Sequence, residues 1–276
     1  MLTCSTRRTV RLVIGALGLV FSLGAMMAAS AGAETPAPKV TAPQVASPSR
    51  VLFVGNSYLY YGDSLHNHVR RMAIAAKLHD AKDLKYKSVT ISGGALFDHD
   101  ITSYLKPGKL RVKDGFQVVV LQGGSAAPLS DKRRAQFLET VKAFDGEIKK
   151  AGGRTALYMT HAYIKPHKQA AAGQINDIAK MYVETGNAIG ALVLPVGLAF
   201  EEAYKRKPDM QLQKSFDGSH PDLIGTYLAA CVVYAGLYGK PALGNTYDYY
   251  GKIDKATARF LQEVADDTIK SFYGRK

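Results

Sequence analysis

Cysteine is nearly missing from this chain: 276 residues contain two. Cys4 lies in an N-terminal segment that reads as a removable leader, so a processed chain keeps only Cys231 and has no internal disulfide. Such a protein must be held together by its apolar core. Cys231 stands in Leu228-Ala229-Ala230-Cys231-Val232-Val233 and reads as a small buried hydrophobe rather than a reactive thiol. Acidic side chains are scarce too, 23 against 36 basic ones, for a formal charge of +13. That balance allows anionic partners such as acidic glycans or phospholipid headgroups. The basic residues are scattered, however, with no dense basic run, no zinc-finger spacing and no aromatic-basic RNA motif. Nucleic-acid binding is therefore not expected, and the charge reads as a solvated surface. No internal repeat is present.

What is there begins with a basic start, Arg7, Arg8 and Arg11, followed by an apolar run from Leu12 to about Ala29 and the small residues Ala31-Gly32-Ala33. Residues 1–33 are expected to be a secretory signal peptide, a retained membrane anchor being the alternative. Thr6 to Arg11 also fits a loose twin-arginine pattern, which leaves the export route open. The protein is thus expected in the periplasm or outside the cell, touching a membrane only through an uncleaved leader. Residues 34–49 carry Pro36, Pro38, Pro43 and Pro48 among small polar residues and are expected to form a flexible linker. The folded domain is expected over 50–276, enough for one large domain.

From Arg50 onward, short β-branched runs alternate with amphipathic stretches. Strands are expected at Val51–Val54, Ser88–Ile91, Gln117–Leu121, Thr155–Met159 and Ala191–Val196. Helices are expected at Ser64–Leu78, Asp131–Lys150, Gln174–Glu184, Pro221–Tyr238 and Lys255–Tyr273, with Pro221 at a first helical position. This rhythm implies a parallel sheet of five strands covered on both faces, an α/β/α sandwich. Sites in such sheets gather at the carboxyl ends of the strands. Ser57 follows the first strand, Gly93 and Gly94 the second, and Gln122 to Ser125 the third.

Ser57 and the pair Asp217 and His220 supply the groups of a hydrolytic triad. A serine hydroxyl is a poor nucleophile until a base takes its proton, and a carboxylate three residues before a histidine can orient its ring. Candidate donors to a developing oxyanion are the Ser57 amide, the amides of Gly93 and Gly94, and the Gln122 side chain, with Ser125 as the fallback. Asn56, Tyr58 and His161 are candidates for the substrate cleft. Asp63 and His99 are weaker ones.

These blocks resemble the SGNH/GDSL hydrolase superfamily. Gly55-Asn56-Ser57 is similar to its Gly-Asp/Asn-Ser block, and Asp217-Gly218-Ser219-His220-Pro221 to its closing Asp-x-x-His-Pro. Gly93 or Gly94 meets the second block. The third block departs: Leu121-Gln122-Gly123-Gly124-Ser125 lacks the usual asparagine and is similar to the Gln-Gly-Glu-Ser of carbohydrate acetylesterases. The resemblance implies a flavodoxin-like sandwich and a serine esterase without cofactor or metal, with a small-molecule or polysaccharide ester as partner and a carbohydrate O-acetylesterase as one form of it. Three other readings stay open, one of them a structural envelope tether, which the Pro-rich arm and basic surface permit. His66, His68, Asp98, His99 and Asp100 carry ligand-type atoms, but His66 and His68 would diverge by about 200° on a helix. A non-catalytic glycan-binding domain is the third, with Tyr58, Tyr60 and Tyr61 as stacking surfaces.

Overall fold

The computed structural model describes residues 1–3 and 35–275. Residues 4–34 and 276 fall outside the described residues, and with them almost all of the expected signal peptide. Among the described residues a single sheet is formed by β1 (Arg50–Gly55), β2 (Lys85–Thr90), β3 (Val118–Gln122), β4 (Arg154–Tyr158) and β5 (Leu192–Leu194). The strands lie in the order β2-β1-β3-β4-β5, and every pairing is parallel. This is the flavodoxin-like order, with its switch point between β1 and β3.

Strand side chains alternate between faces, and the alternation sorts the core into two layers. Val51, Phe53, Val120, Tyr158 and Leu194 face α2 (Leu65–Ala75), α6 (Val196–Arg206), α7 (Leu223–Tyr238) and α8 (Lys255–Tyr273). Leu52, Val54, Val119, Leu121, Leu157 and Val193 face α3 (Ile101–Leu105), α4 (Asp131–Lys150) and α5 (Gln174–Ile189). α7 is buried from Gly225 to Tyr238, which explains why it is apolar all round. α1 (Ser57–Tyr60) is a single turn that follows β1 at once.

Several boundaries differ from the sequence expectation for identifiable reasons. β2 starts at Lys85, because an edge strand tolerates Lys85 and Lys87 where a central one would not. β5 stops at Leu194 because Pro195 ends it, and Val196 opens α6, a helix not expected from the sequence. Pro221 is not the first residue of α7. It pairs with Gln213 in an isolated bridge, and the Asp222 carboxylate caps the helix at the Leu223 amide, 2.7 Å away.

The expected flexible linker is instead docked over residues 35–49. The Lys39 amide donates to Asn187 Oδ1 at 2.7 Å, and Asn187 returns a bond to the Ala37 carbonyl at 3.0 Å. Gln44 donates to the Gly190 carbonyl, and the Tyr238 hydroxyl to that of Pro48. Val40 and Val45 pack against the larger core layer. Prolines make such docking cheap, because the extended backbone they impose has little entropy left to lose. A chain starting at residue 50 is expected to lose on the order of 2 kcal/mol, roughly the burial of one to two valines. That should lower Tm by several degrees in a thermal melt. An unchanged Tm would show that the arm contributes nothing.

Candidate active site

β1 leaves the sheet at Gly55, and Asn56 joins three strand ends. Its amide donates to Gln122 Oε1 at the end of β3 (2.8 Å), and its side-chain Nδ2 donates to the Gly94 carbonyl after β2 (2.9 Å). Its Oδ1 accepts from the Tyr58 amide at 3.1 Å, which starts α1. From behind, the buried His99 ring contacts the Gly55 carbonyl at 2.9 Å. Ser57 is thereby held as the first residue of α1, and its hydroxyl lies 2.9 Å from His220 Nε2. His220 Nδ1 lies 2.6 Å from Asp217 Oδ2.

The proton positions follow from the acceptor at one end. Asp217 Oδ1 accepts the amides of Ser219 (2.8 Å) and His220 (3.0 Å). Burial pushes the Asp217 carboxyl up, but its bond to His220 and these two amides outweigh that, so it sits below its ordinary value of 3.8. An ionised carboxylate only accepts, so Nδ1–H donates to Asp217 and Nε2 is left to accept from the Ser57 hydroxyl. The arrangement can therefore draw the proton from a serine oxygen into an oriented imidazole.

The loop that carries His220 is clamped from below. The Ser219 carbonyl accepts from His161 Nε2 at 2.7 Å, and the Ser219 hydroxyl bonds the Tyr58 hydroxyl at 2.8 Å. The His161 ring is sandwiched between Tyr58 and Phe200, with centroids 4.5 and 4.4 Å away. Burial drives its pKa down to about 4, so it is neutral. Gln213 donates to the Gly218 carbonyl at 3.0 Å. Gly218 needs its φ of +61°, and a Cβ there would meet the Ile164 carbonyl. Above, Tyr61 stacks on the His220 ring at 4.1 Å.

Ser57 and His220 open on a cavity of about 350 Å³. Asn56, Tyr58, Gly93, Gly94 and Ser125 line it too, and beyond them come Leu96, Phe97, Arg133, Gln136, Phe137 and Thr140. Three expectations need correction. Gln122 is not an oxyanion donor. Alternation along β3 sends it to the same face as Val120, beneath Asn56, where Oε1 takes the Asn56 amide and Nε2 bonds the Gly123 carbonyl. The Gly94 amide is occupied in a turn with the Ile91 carbonyl at 3.0 Å. His161 lies under the site and does not line the cavity. Among the described residues the amides of Ser57, Gly93 and Ser125 have no protein acceptor, and all three residues line the cavity. Ser125 is two residues after Gly123, the place an asparagine takes in a Gly-x-Asn block.

Sequence reasoning missed the Gln213 and Phe200 supports, which sit far from the triad motifs, and took His99 for a weak cleft candidate, whereas its ring lies behind Gly55 and does not line the cavity. It also missed the α4 wall of the cavity, although Arg133, Gln136, Phe137 and Thr140 follow the i, i+3, i+4, i+7 spacing of one helix face. A folded pKa below the ordinary value stabilises above that ordinary value and ceases to do so as the pH falls through the folded one. Asp217→Asn is therefore expected to unfold more easily than the native protein near neutral pH, with the gap closing as the pH falls below the ordinary carboxyl value. A gap in urea melts that persists unchanged at low pH would contradict this account of the loop.

No family model matches the chain, and no curated protein does. Solved structures do. The chain is similar to a DUF4886 family protein from Bacteroides uniformis, at 21% identity and TM-score 0.55, over 79% of this chain and 93% of that one. It is similar to a protein from Slackia heliotrinireducens assigned to the SGNH hydrolases, at 19% identity and TM-score 0.53, over 68% and 98%. An acetyl xylan esterase matches at 18% identity and TM-score 0.50, over 67% and 98%. With its five parallel strands in flavodoxin-like order and helices on both faces, the chain has the fold of the SGNH/GDSL hydrolases.

Proposed function

We propose that this chain is a serine esterase of the SGNH type, cleaving carboxylic esters through an acyl-enzyme. The observation that carries the reading is the unbroken chain from Asp217 through His220 to the Ser57 hydroxyl at the mouth of a cavity. His220 takes the Ser57 proton as the serine oxygen attacks the ester carbonyl, and Asp217 stabilises the imidazolium that forms. The oxyanion is received by the amides of Ser57 and Gly93 and by Ser125, which lines the cavity at the sequence position of the missing asparagine. His220 then gives the proton to the leaving alcohol. Water enters and attacks the acyl carbonyl as His220 takes its proton, and His220 returns that proton to the Ser57 oxygen as the acyl–oxygen bond breaks and the acid leaves. The fold shared with an acetyl xylan esterase favours a carbohydrate O-acyl ester as the substrate class.

We further propose that the protein is exported, on the strength of the basic start, apolar run and Ala31-Gly32-Ala33 pattern. Amino-terminal sequencing of the exported form is expected to show cleavage close to Ala33. An intact leader on the mature protein would refute removal.

The catalytic reading is tested with p-nitrophenyl esters of increasing chain length. Ser57→Ala and His220→Ala are each expected to cut kcat by at least about 10³-fold. Ser125→Ala is expected to lower kcat by about 10²-fold or more with KM little changed, as befits a group that binds the oxyanion rather than the substrate. Turnover that survives Ser57→Ala would sink the proposal.

A further inference from the structure

The cavity beside Ser57 contains one fixed charge. Arg133 lines it, and no lysine, aspartate or glutamate does. Arg133 projects from the first turn of α4, next to Arg134, and the two side chains are used differently. The Arg134 guanidinium is engaged by Asp131 at 2.6 Å and by the Pro128 carbonyl. Among the described residues the Arg133 guanidinium has neither an ion pair nor a hydrogen bond, and only its backbone amide is bound, by the Ser130 cap. A cation in the first turn of a helix also opposes the helix dipole. Arg133 is exposed, so its guanidinium is left to solvent or to whatever enters the cavity.

Arg133 stands in the cavity wall together with Ser57 and His220. Burial pushes the Tyr163 phenol up, while the Ser125 side chain and the Arg133 charge pull it back, which sets Arg133 near the loop that follows β3. The rest of the distal wall is Leu96, Phe97, Ala127 and Phe137, with Gln136 and Thr140 as neutral polar groups. At about 350 Å³ the cavity is also larger than an acetyl group requires and falls within the range of small-molecule sites.

We propose that this cavity selects esters carrying a carboxylate, which the Arg133 guanidinium holds while Ser57 attacks the ester carbonyl. The inference rests on the esterase reading above. A guanidinium presents a planar fork of donors that matches a carboxylate, and with no competing acid in the cavity it is free to accept one. The carboxylate takes no part in bond-making: water is consumed, the ester C–O bond breaks, and the acid and alcohol leave with the carboxylate unchanged. It can belong to the acyl group, as in the half-ester of a dicarboxylic acid, or to the alcohol, as in an esterified acidic sugar.

Matched substrate pairs test this. The acyl arm compares p-nitrophenyl hemisuccinate with p-nitrophenyl butyrate. The alcohol arm compares monoacetylated methyl glucuronide with monoacetylated methyl glucoside. The native protein is expected to favour the charged member of one pair by about tenfold or more in kcat/KM, and the favoured pair locates the carboxylate. Added salt should reduce that preference. Arg133→Gln is expected to bring the ratio close to one, and Arg133→Lys to restore part of it. Lys132→Gln, outside the cavity lining, should leave the ratio alone. Equal rates within both pairs, or a preference that survives Arg133→Gln in a variant with native thermal stability, overturn the proposal while leaving the esterase standing. Should Ser57-dependent turnover be missing altogether, the esterase reading fails and binding decides. Ser57→Ala protein is titrated with methyl glucuronide and monomethyl succinate. Affinity lost on adding Arg133→Gln supports carboxylate recognition, and no affinity for either probe overturns it.

Discussion

Three strand ends meet at Asn56, and the position of the serine depends on the hydrogen bonds made there. A parallel sheet buried on both faces offers no water to its last polar groups, so a strand that ends in a reactive hydroxyl must satisfy its neighbours internally. Asn56 does this in three directions at once, to β3 through Gln122, to the loop after β2 through Gly94, and to the first turn of α1 through the Tyr58 amide. The close fit leaves room only for glycine before it, since a Cβ on Gly55 would press on Gln122 and Leu59. The hydroxyl of Ser57 is thus aimed by backbone and packing rather than by its own rotamer alone.

The histidine arrives from a distant part of the chain, and a second set of contacts fixes its height above the sheet. Tyr58, one residue after the serine, bonds Ser219, one residue before the histidine. His161, kept neutral by burial, stacks on the same tyrosine and donates to the same serine's carbonyl. The two halves of the triad therefore share a support. A change at His161, which lies outside the cavity lining, would be felt as a displaced His220, not as a lost substrate contact.

The rhythm of strands and helices was legible because it rests on local periodicity and β-branching, and the triad because its residues sit in two short motifs. α6 was not, since Ala191 to Val196 reads as one continuous apolar run until Pro195 is seen to break it. The docked arm was hidden for a different reason. Its affinity for the domain comes from single long-range bonds, such as Lys39 to Asn187, that leave no pattern in the sequence. The role of Gln122 was misread from a motif, although strand parity alone sends it to the face of Val120, away from α4.

That parity bears on how the site works. With Gln122 turned inward to hold Asn56, the loop after β3 must offer its own atoms to the cavity, and Ser125 with its free amide is what it presents. Gly124 and Ser125 both line the cavity, and neither Gly123 nor Gly124 carries a side chain that could stand between Ser125 and it. Gly123 already lies against Phe137 and the Tyr182 hydroxyl, which leaves no space for a larger residue.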